Sequence, residues 1–245
     1  MNRRRRVGSG PPLPYQLLAG VVPTRRGWVV VSAKLQGIHL APNEPELVAD
    51  LVEVLDARPS YQVIGLDAPI GLRTDAGEGS RGCDRDVRAL LGPEHADAVP
   101  AAPTRAALGA STFDEAVALS GSLDLTAWCR IDRIREVDRE MAPYRQRVVY
   151  EVRGETSFFQ LNGERPLKFP KRTHRGREER RALLESRLPG VERVLDAVID
   201  GVRPWHLLDG CAALWSSRRI MARAAARLPE TAEWDGQGLR MEIVR

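Results

Sequence analysis

The chain has 245 residues, 43% hydrophobic and 29% charged, enough for one large α/β domain with a real core. The net charge of +4 rests almost wholly on arginine, the lysines being Lys34, Lys168 and Lys171, and it permits nucleic-acid contact without demanding it. No run approaches the roughly 18 apolar residues of a membrane span, and Cys83, Cys129 and Cys211 lie far apart without a CxxC, which fits a reduced cytoplasmic protein rather than a disulfide framework or a structural zinc.

Residues 1–14, with four consecutive arginines and prolines at 11, 12 and 14, read as a flexible basic arm, either plainly disordered or touching phosphate. Residues 15–245 read as a single domain. "YQLLAGVVPTRRGWVVVSAKLQGIHLA" predicts two or three strands in succession, with turns at Gly27 and Gly37. "NEPELVADLVEVLDA" predicts a helix, Asn43 and Glu46 having the spacing of a capping box. "YQVIGLDAP" is the next strand. From about Arg81 the pattern turns helical: "RGCDRDVRALLG" ends at Gly92, "STFDEAVALSG" is capped by Thr112 and Glu115, and "LDLTAWCRIDRIREVDREM" carries apolar residues three to four apart. "RQRVVYEV" returns to strand. "REERRALLESRL", "VERVLDAVIDGV" and "PWHLLDGCAALWSSRRIMARAAARL" are helices, the last opened by Pro204, and Leu239–Val244 is a closing strand. The order predicts a mixed sheet with a parallel crossover, flanked by helices and broken by a helical insertion.

Three acids sit where this pattern makes them odd. Asp67 ends a buried strand, Glu151 ends "VVYE", and Asp209 lies in the apolar helix "HLLDGCAALW". Singly, Asp67 could cap a turn, Glu151 could be exposed on an alternating strand and Asp209 could pair with an arginine. Together, carboxylates from two strand ends and a helix can meet at one sheet edge. Clustered like charges need a cation. Hard oxygen donors of this kind suit Mg²⁺ or Mn²⁺, and two such ions activate water in phosphodiester cleavage. The four histidines form no metal box.

The stretches "IGLDAPIGL", "RGCDRDVRALLG", "VPAAPTRAAL", "IREVD", "YEVRGETSFFQLNG" and "LLDGCAALWSSRR" occur in an order that resembles the predicted RNase H-like nucleases of the domain-of-unknown-function 429 group. The resemblance implies an α/β, RNase H-like fold: a mixed five-stranded sheet flanked by helices, with acids on the first strand, the fourth strand and later elements. It implies a divalent-metal-dependent nuclease or phosphodiesterase, with Asp67, Glu151 and Asp209 as catalytic metal ligands and Glu155 as a supporting acid. Two departures stand out. Where the family reads "GVDGCRGGW" this chain reads "GVVPTRRGW", so Val22 replaces the expected first-strand aspartate. The family's "E-x-H-P-E" is here "EVRGE", so Arg153 replaces histidine and either neutralises the acids or holds a phosphate. Lys168 and Lys171, in the basic stretch "LKFPKRTHRGREERR", correspond to family lysines and, with Arg153, are the expected substrate contacts; the bland alternative is a solvated loop and helix face. The resemblance leaves two functions in play: a metal-dependent nuclease, or a catalytically inactive relative binding nucleic acid, a nucleotide or a protein through the old cleft.

Overall fold

The computed structural model describes residues 14–245, so the basic arm expected over residues 1–14 lies, but for Pro14, outside the described residues. β1 (Gln16–Thr24) and β2 (Gly27–Gln36) form an antiparallel hairpin, Gln16 opposite Leu35 and Thr24 opposite Gly27. β3 (His39–Pro42) turns back at Gly37, whose φ of +60° suits a residue without a Cβ. β5 (Val63–Leu66) runs parallel to β1, and β6 (Val149–Glu151) parallel to β5. The sheet order is β3-β2-β1-β5-β6, with the short β4 (Glu46–Val48) also on β2. This is the mixed sheet that the sequence pattern predicts.

The segment expected to be one helix over 43–57 is instead β4 followed by a short α1 (Leu51–Leu55). Two local causes act. Pro45 disfavours helical backbone at Glu44, and Trp28–Val30, beyond the reach of β3, would leave an open strand edge that Glu46–Val48 closes. Asn43 therefore does not cap; its side-chain amide donates to Ser32 Oγ at 2.9 Å. The cap falls to Glu53, whose Oε1 accepts from the Ala49 and Asp50 N–H groups at 3.1 and 3.0 Å.

Between β5 and β6 lies the helical insertion: α2 (Gly82–Leu91), α3 (Phe113–Ser120), α4 (Leu125–Trp128) and α5 (Ile131–Glu140). After β6 come α6 (Gly154–Leu161), which the sequence pattern does not announce, α7 (His174–Glu185), α8 (Glu192–Leu195) and α9 (Pro204–Met221). The expected last helix ends at Met221. "RLPETAEW" beyond it is β7 (Arg227–Trp234), paired with β8 (Arg240–Val244) in a separate two-stranded sheet. Among the described residues no helix is long and apolar enough to cross a membrane.

Helices cover both faces of the main sheet. Leu18, Val29, Val31 and Val63 pack with Leu208, Cys211 and Leu214 of α9 and with Leu184 of α7. Ala19, Val21, Trp28, Ile64 and Leu66 pack on the other face with Leu51 of α1 and Val137 of α5. Each fully buried leucine or valine here contributes about 1.5–3 kcal/mol. α9 lies unusually close to β1: a Cβ on Gly20 would stand 2.1 Å from Gly210 O and 2.3 Å from Leu214 N. That approach sets the depth of Asp209, the residue before Gly210.

Candidate functional site

Strand alternation decides which acids can meet, since successive side chains point to opposite faces. Along β5, Val63 and Gly65 lie toward α9, whereas Ile64 and Leu66 face α1 and α5. Asp67 N–H still donates to Val21 O at 2.8 Å, so the strand geometry carries through and Asp67 joins the α9-facing set. On β1, Leu18, Gly20 and Val22 face α9, and Val22 Cγ2 lies 3.8 Å from where a Gly210 Cβ would be. On β6, Glu151 stands opposite Leu66 in the register and so takes the other face. Asp67 and Asp209 thus share a side of the sheet edge that Glu151 does not.

Glu151 is fully enclosed and fully used. Its Oε2 accepts from Ile70 N at 2.7 Å and from Arg81 Nη1 at 2.8 Å, and its Oε1 from Arg81 Nη2 at 2.9 Å. Arg153 Nη2 lies 2.7 Å from the same Oε1. Arg81, just before α2, is 2% exposed and also grips Asp84 at 2.9 and 2.7 Å and the Ile70 and Gly71 carbonyls at 3.3 and 3.1 Å. Burial disfavours the Arg81 charge, but Asp84 and Glu151 outweigh it and hold its pKa well above the ordinary value. Burial likewise pushes Asp84 up, and the Arg81 charge and hydrogen bonds more than reverse this, leaving it below the usual carboxylate range. The Cys83 thiol, enclosed beside them, is pushed up to about 12 by burial. "RGCD" is therefore a clamp tying α2 to β6.

On the α9 side the charges form a second set. Lys171 Nζ lies 2.6 Å from Asp209 Oδ2 and 3.9 Å from Glu155 Oε1, and Arg180 Nη2 holds Glu155 Oε2 at 2.8 Å. Burial opposes the Lys171 charge, yet Asp209, Glu155 and Asp67 raise its pKa above the ordinary lysine value. Gly154 opens α6 where a Cβ would meet Asp209 Oδ1 at 2.6 Å, so only glycine lets Asp209 in. Asp209 Oδ1 is buried with no hydrogen-bond partner. Arg153 straddles the edge: its Nη1 is 3.8 Å from Asp67, its Nη2 is 2.7 Å from Glu151 Oε1, and its buried Nε has no hydrogen-bond partner. In "EVRGE", each of the last three residues thus has a structural reason to be there. Lys168 lies outside the cleft: it is exposed, with its ammonium 5.4 Å from the Phe169 ring centroid. His206, one turn before Asp209, accepts the Arg203 N–H at Nδ1 (3.1 Å). Burial, then the Arg130 and Lys171 charges, push it down to about 4, so it is neutral at physiological pH.

A recess opens beside this edge. Asp67, Arg130, Arg133 and Arg153 line it together with apolar Pro69, Pro100 and Ile134. The model of the family described as "Protein of unknown function (DUF429)" matches residues 20–234. The chain belongs to this family. Comparison with curated proteins and with solved structures found no match.

The family resemblance raised the expectation of a divalent-metal centre on Asp67, Glu151 and Asp209. Those three residues do not fit one. Glu151 sits on the opposite face with both oxygens engaged by Arg81, Arg153 and the Ile70 N–H. Val22, at the first-strand position, offers no oxygen. Among the described residues no group of three or more His, Cys, Asp or Glu side chains is arranged to hold a metal ion. Of the expected substrate contacts, Arg153 lines the recess and Lys171 is bound up with Asp209. Arg130 and His206, both at the cleft, were not singled out as site residues from sequence. His206 lies three residues before Asp209 on the same helical face, and that spacing is the signal that could have found it.

Proposed function

We propose that the chain is an RNase H-like relative whose cleft binds a phosphate-bearing ligand, nucleic acid foremost, without a bound metal pair. The RNase H-like reading is supported by the sheet: two strand pairings antiparallel, then β5 and β6 parallel to β1, with an acid ending β5, the fourth strand of the main path in chain order. The binding reading is carried by one observation. Arg153 is 5% exposed and faces a recess that Arg130 and Arg133 also line, and its Nη1 stands 3.8 Å from Asp67, beyond hydrogen-bond reach. A buried guanidinium with open hydrogen-bond capacity recognises a phosphate through charge-assisted, bidentate bonds. Pro69, Pro100 and Ile134 supply an apolar wall for a sugar or base. Beyond the cleft, Arg172 lies 6.0 Å from the Trp205 ring centroid and Arg175 5.7 Å from that of Phe169. That basic, aromatic rim suits a continuing phosphate backbone.

The test is fluorescence anisotropy with labelled single- and double-stranded DNA and RNA oligonucleotides in EDTA, across a salt series. Binding is expected without divalent ions and weakens as salt rises, and Arg153→Ala weakens it by about tenfold or more. Absence of binding to every oligonucleotide sinks the reading. The second reading is the metal-dependent nuclease. It is favoured by the unpartnered Asp209 Oδ1 and by Asp67, whose nearest cation is 3.8 Å away. Cleavage of an oligonucleotide in Mg²⁺ or Mn²⁺ that Asp67→Asn abolishes would establish it in place of the first.

A further inference from the structure

The carboxylates that surround a common position are not the three expected from sequence. They are Asp209 from α9 and Glu155 from α6. The Lys171 ammonium stands between them, 2.6 Å from Asp209 and 3.9 Å from Glu155, and within electrostatic reach of Asp67. Its loop is built to hold it there. Thr173 Oγ1 donates to Pro170 O at 2.7 Å and accepts the Gly176 N–H at 3.0 Å, and the Thr173 N–H donates to the same Pro170 carbonyl at 3.0 Å. Gly176 lets α7 close on that carbonyl, since a Cβ there would stand 2.0 Å from it. The turn on either side of Lys171 is thereby pinned and its side chain directed to Asp209.

Carboxylates gathered in an enclosed site are unfavourable without a cation. Glu155 has Arg180 on its other oxygen, but Asp209 has only Lys171 as an ion-pair partner among the described residues. We propose that Lys171 is a built-in cation: its ammonium occupies, and closes to divalent ions, a position between Asp209 and Glu155. An ammonium brings one charge and three donors, whereas a divalent ion draws on six or more oxygens. That difference accounts for Asp209 Oδ1 standing unpartnered while Oδ2 is bonded. It also accounts for a cleft of acids that needs no metal to be stable. The claim concerns the cation position alone and holds whether or not the recess takes phosphate.

Calorimetric titration with Mn²⁺ of three proteins tests it: wild type, Lys171→Met, and Lys171→Met combined with Asp209→Asn. Lys171→Met should gain one saturable site, at least about tenfold tighter than any binding to wild type, and the added Asp209→Asn should abolish it. Equal Mn²⁺ affinity in wild type and Lys171→Met overturns the proposal, as does a folded Lys171→Met that binds none. Should Lys171→Met fail to fold, Mn²⁺ titration of the wild type by NMR decides. The Gly154 and Gly210 amide signals are expected to stay sharp, and their selective broadening overturns the proposal.

Discussion

Replacing Arg81 by methionine separates a structural from a catalytic role for Glu151. The change removes the cation that satisfies both Glu151 oxygens and both Asp84 oxygens, all inside the protein. Breaking a buried ion pair from one side strands the remaining charge and costs about 3–5 kcal/mol. For a chain of this size each kcal/mol moves Tm by roughly 2–4 °C, so a fall of about 6–20 °C is expected. The pH dependence has a definite sign. Arg81 holds Asp84 below its ordinary value of 3.8, so its share of stability is complete above that value and is lost as pH falls through the folded value. Without Arg81, burial raises Asp84 against only the Arg153 charge and the Ala102 N–H, so acid unfolding of the variant begins at higher pH. Circular dichroism melts from pH 3 to pH 7 read both effects. Adding Asp84→Asn to Arg81→Met removes the charge left without an ion pair and should recover part of the loss. A Tm within about 2 °C of wild type would refute the clamp, since so small a shift corresponds to under about 1 kcal/mol.

Val22→Asp buries a carboxylate at a position 1% exposed and should cost about 3 kcal/mol or more; Mn²⁺ should restore Tm only when Lys171→Met is also present, read by calorimetric scans with and without the ion. Gly20→Ala forces a Cβ into the Gly210 carbonyl, so about 1–3 kcal/mol or more is lost in urea melts and oligonucleotide binding weakens as Asp209 shifts. His206, with its pKa near 4 against an ordinary 6.5, adds stability that is full above 6.5 and lost as pH falls through about 4. An NMR titration of its ring should show no midpoint near 6.5, and Arg130→Ala should move the midpoint upward.

The elements with unbroken apolar runs were legible in the sequence. β1, β2, β5 and α9 bury side chains along nearly their whole length, and their strand or helix character follows from that. The failures have identifiable causes. Asn43 and Glu46 have helix-cap spacing, but the spare edge of β2 recruits Glu46–Val48 as a strand, and no local pattern reports a partner almost twenty residues away. "RLPETAEW" reads as polar because β7 lies at the surface, where it pairs only with β8. α6 escaped notice because Gly154 opens it, a poor helix former retained to admit Asp209.

The site was half legible for a related reason. Sequence shows that Asp67, Glu151 and Asp209 are misplaced charges, but not which face of the sheet each takes. Register settles this: Glu151 aligns with Leu66, and Asp67 is the next residue along, so the two carboxylates part to opposite faces by one step. Just past β6 the position level with Asp67 on the α9 side is 152, where a valine packs on Ala213 and Val244. On β1 it is Val22. Two of the three central strands thus present valine where an oxygen would be needed, and Asp67 is their one carboxylate toward α9. The remaining negative charge comes from helices, Asp209 and Glu155, and the cation that answers it from a loop. Charges drawn from such different elements can balance inside the protein itself, so the cleft can keep its acids after losing the strand oxygens that a metal pair would require.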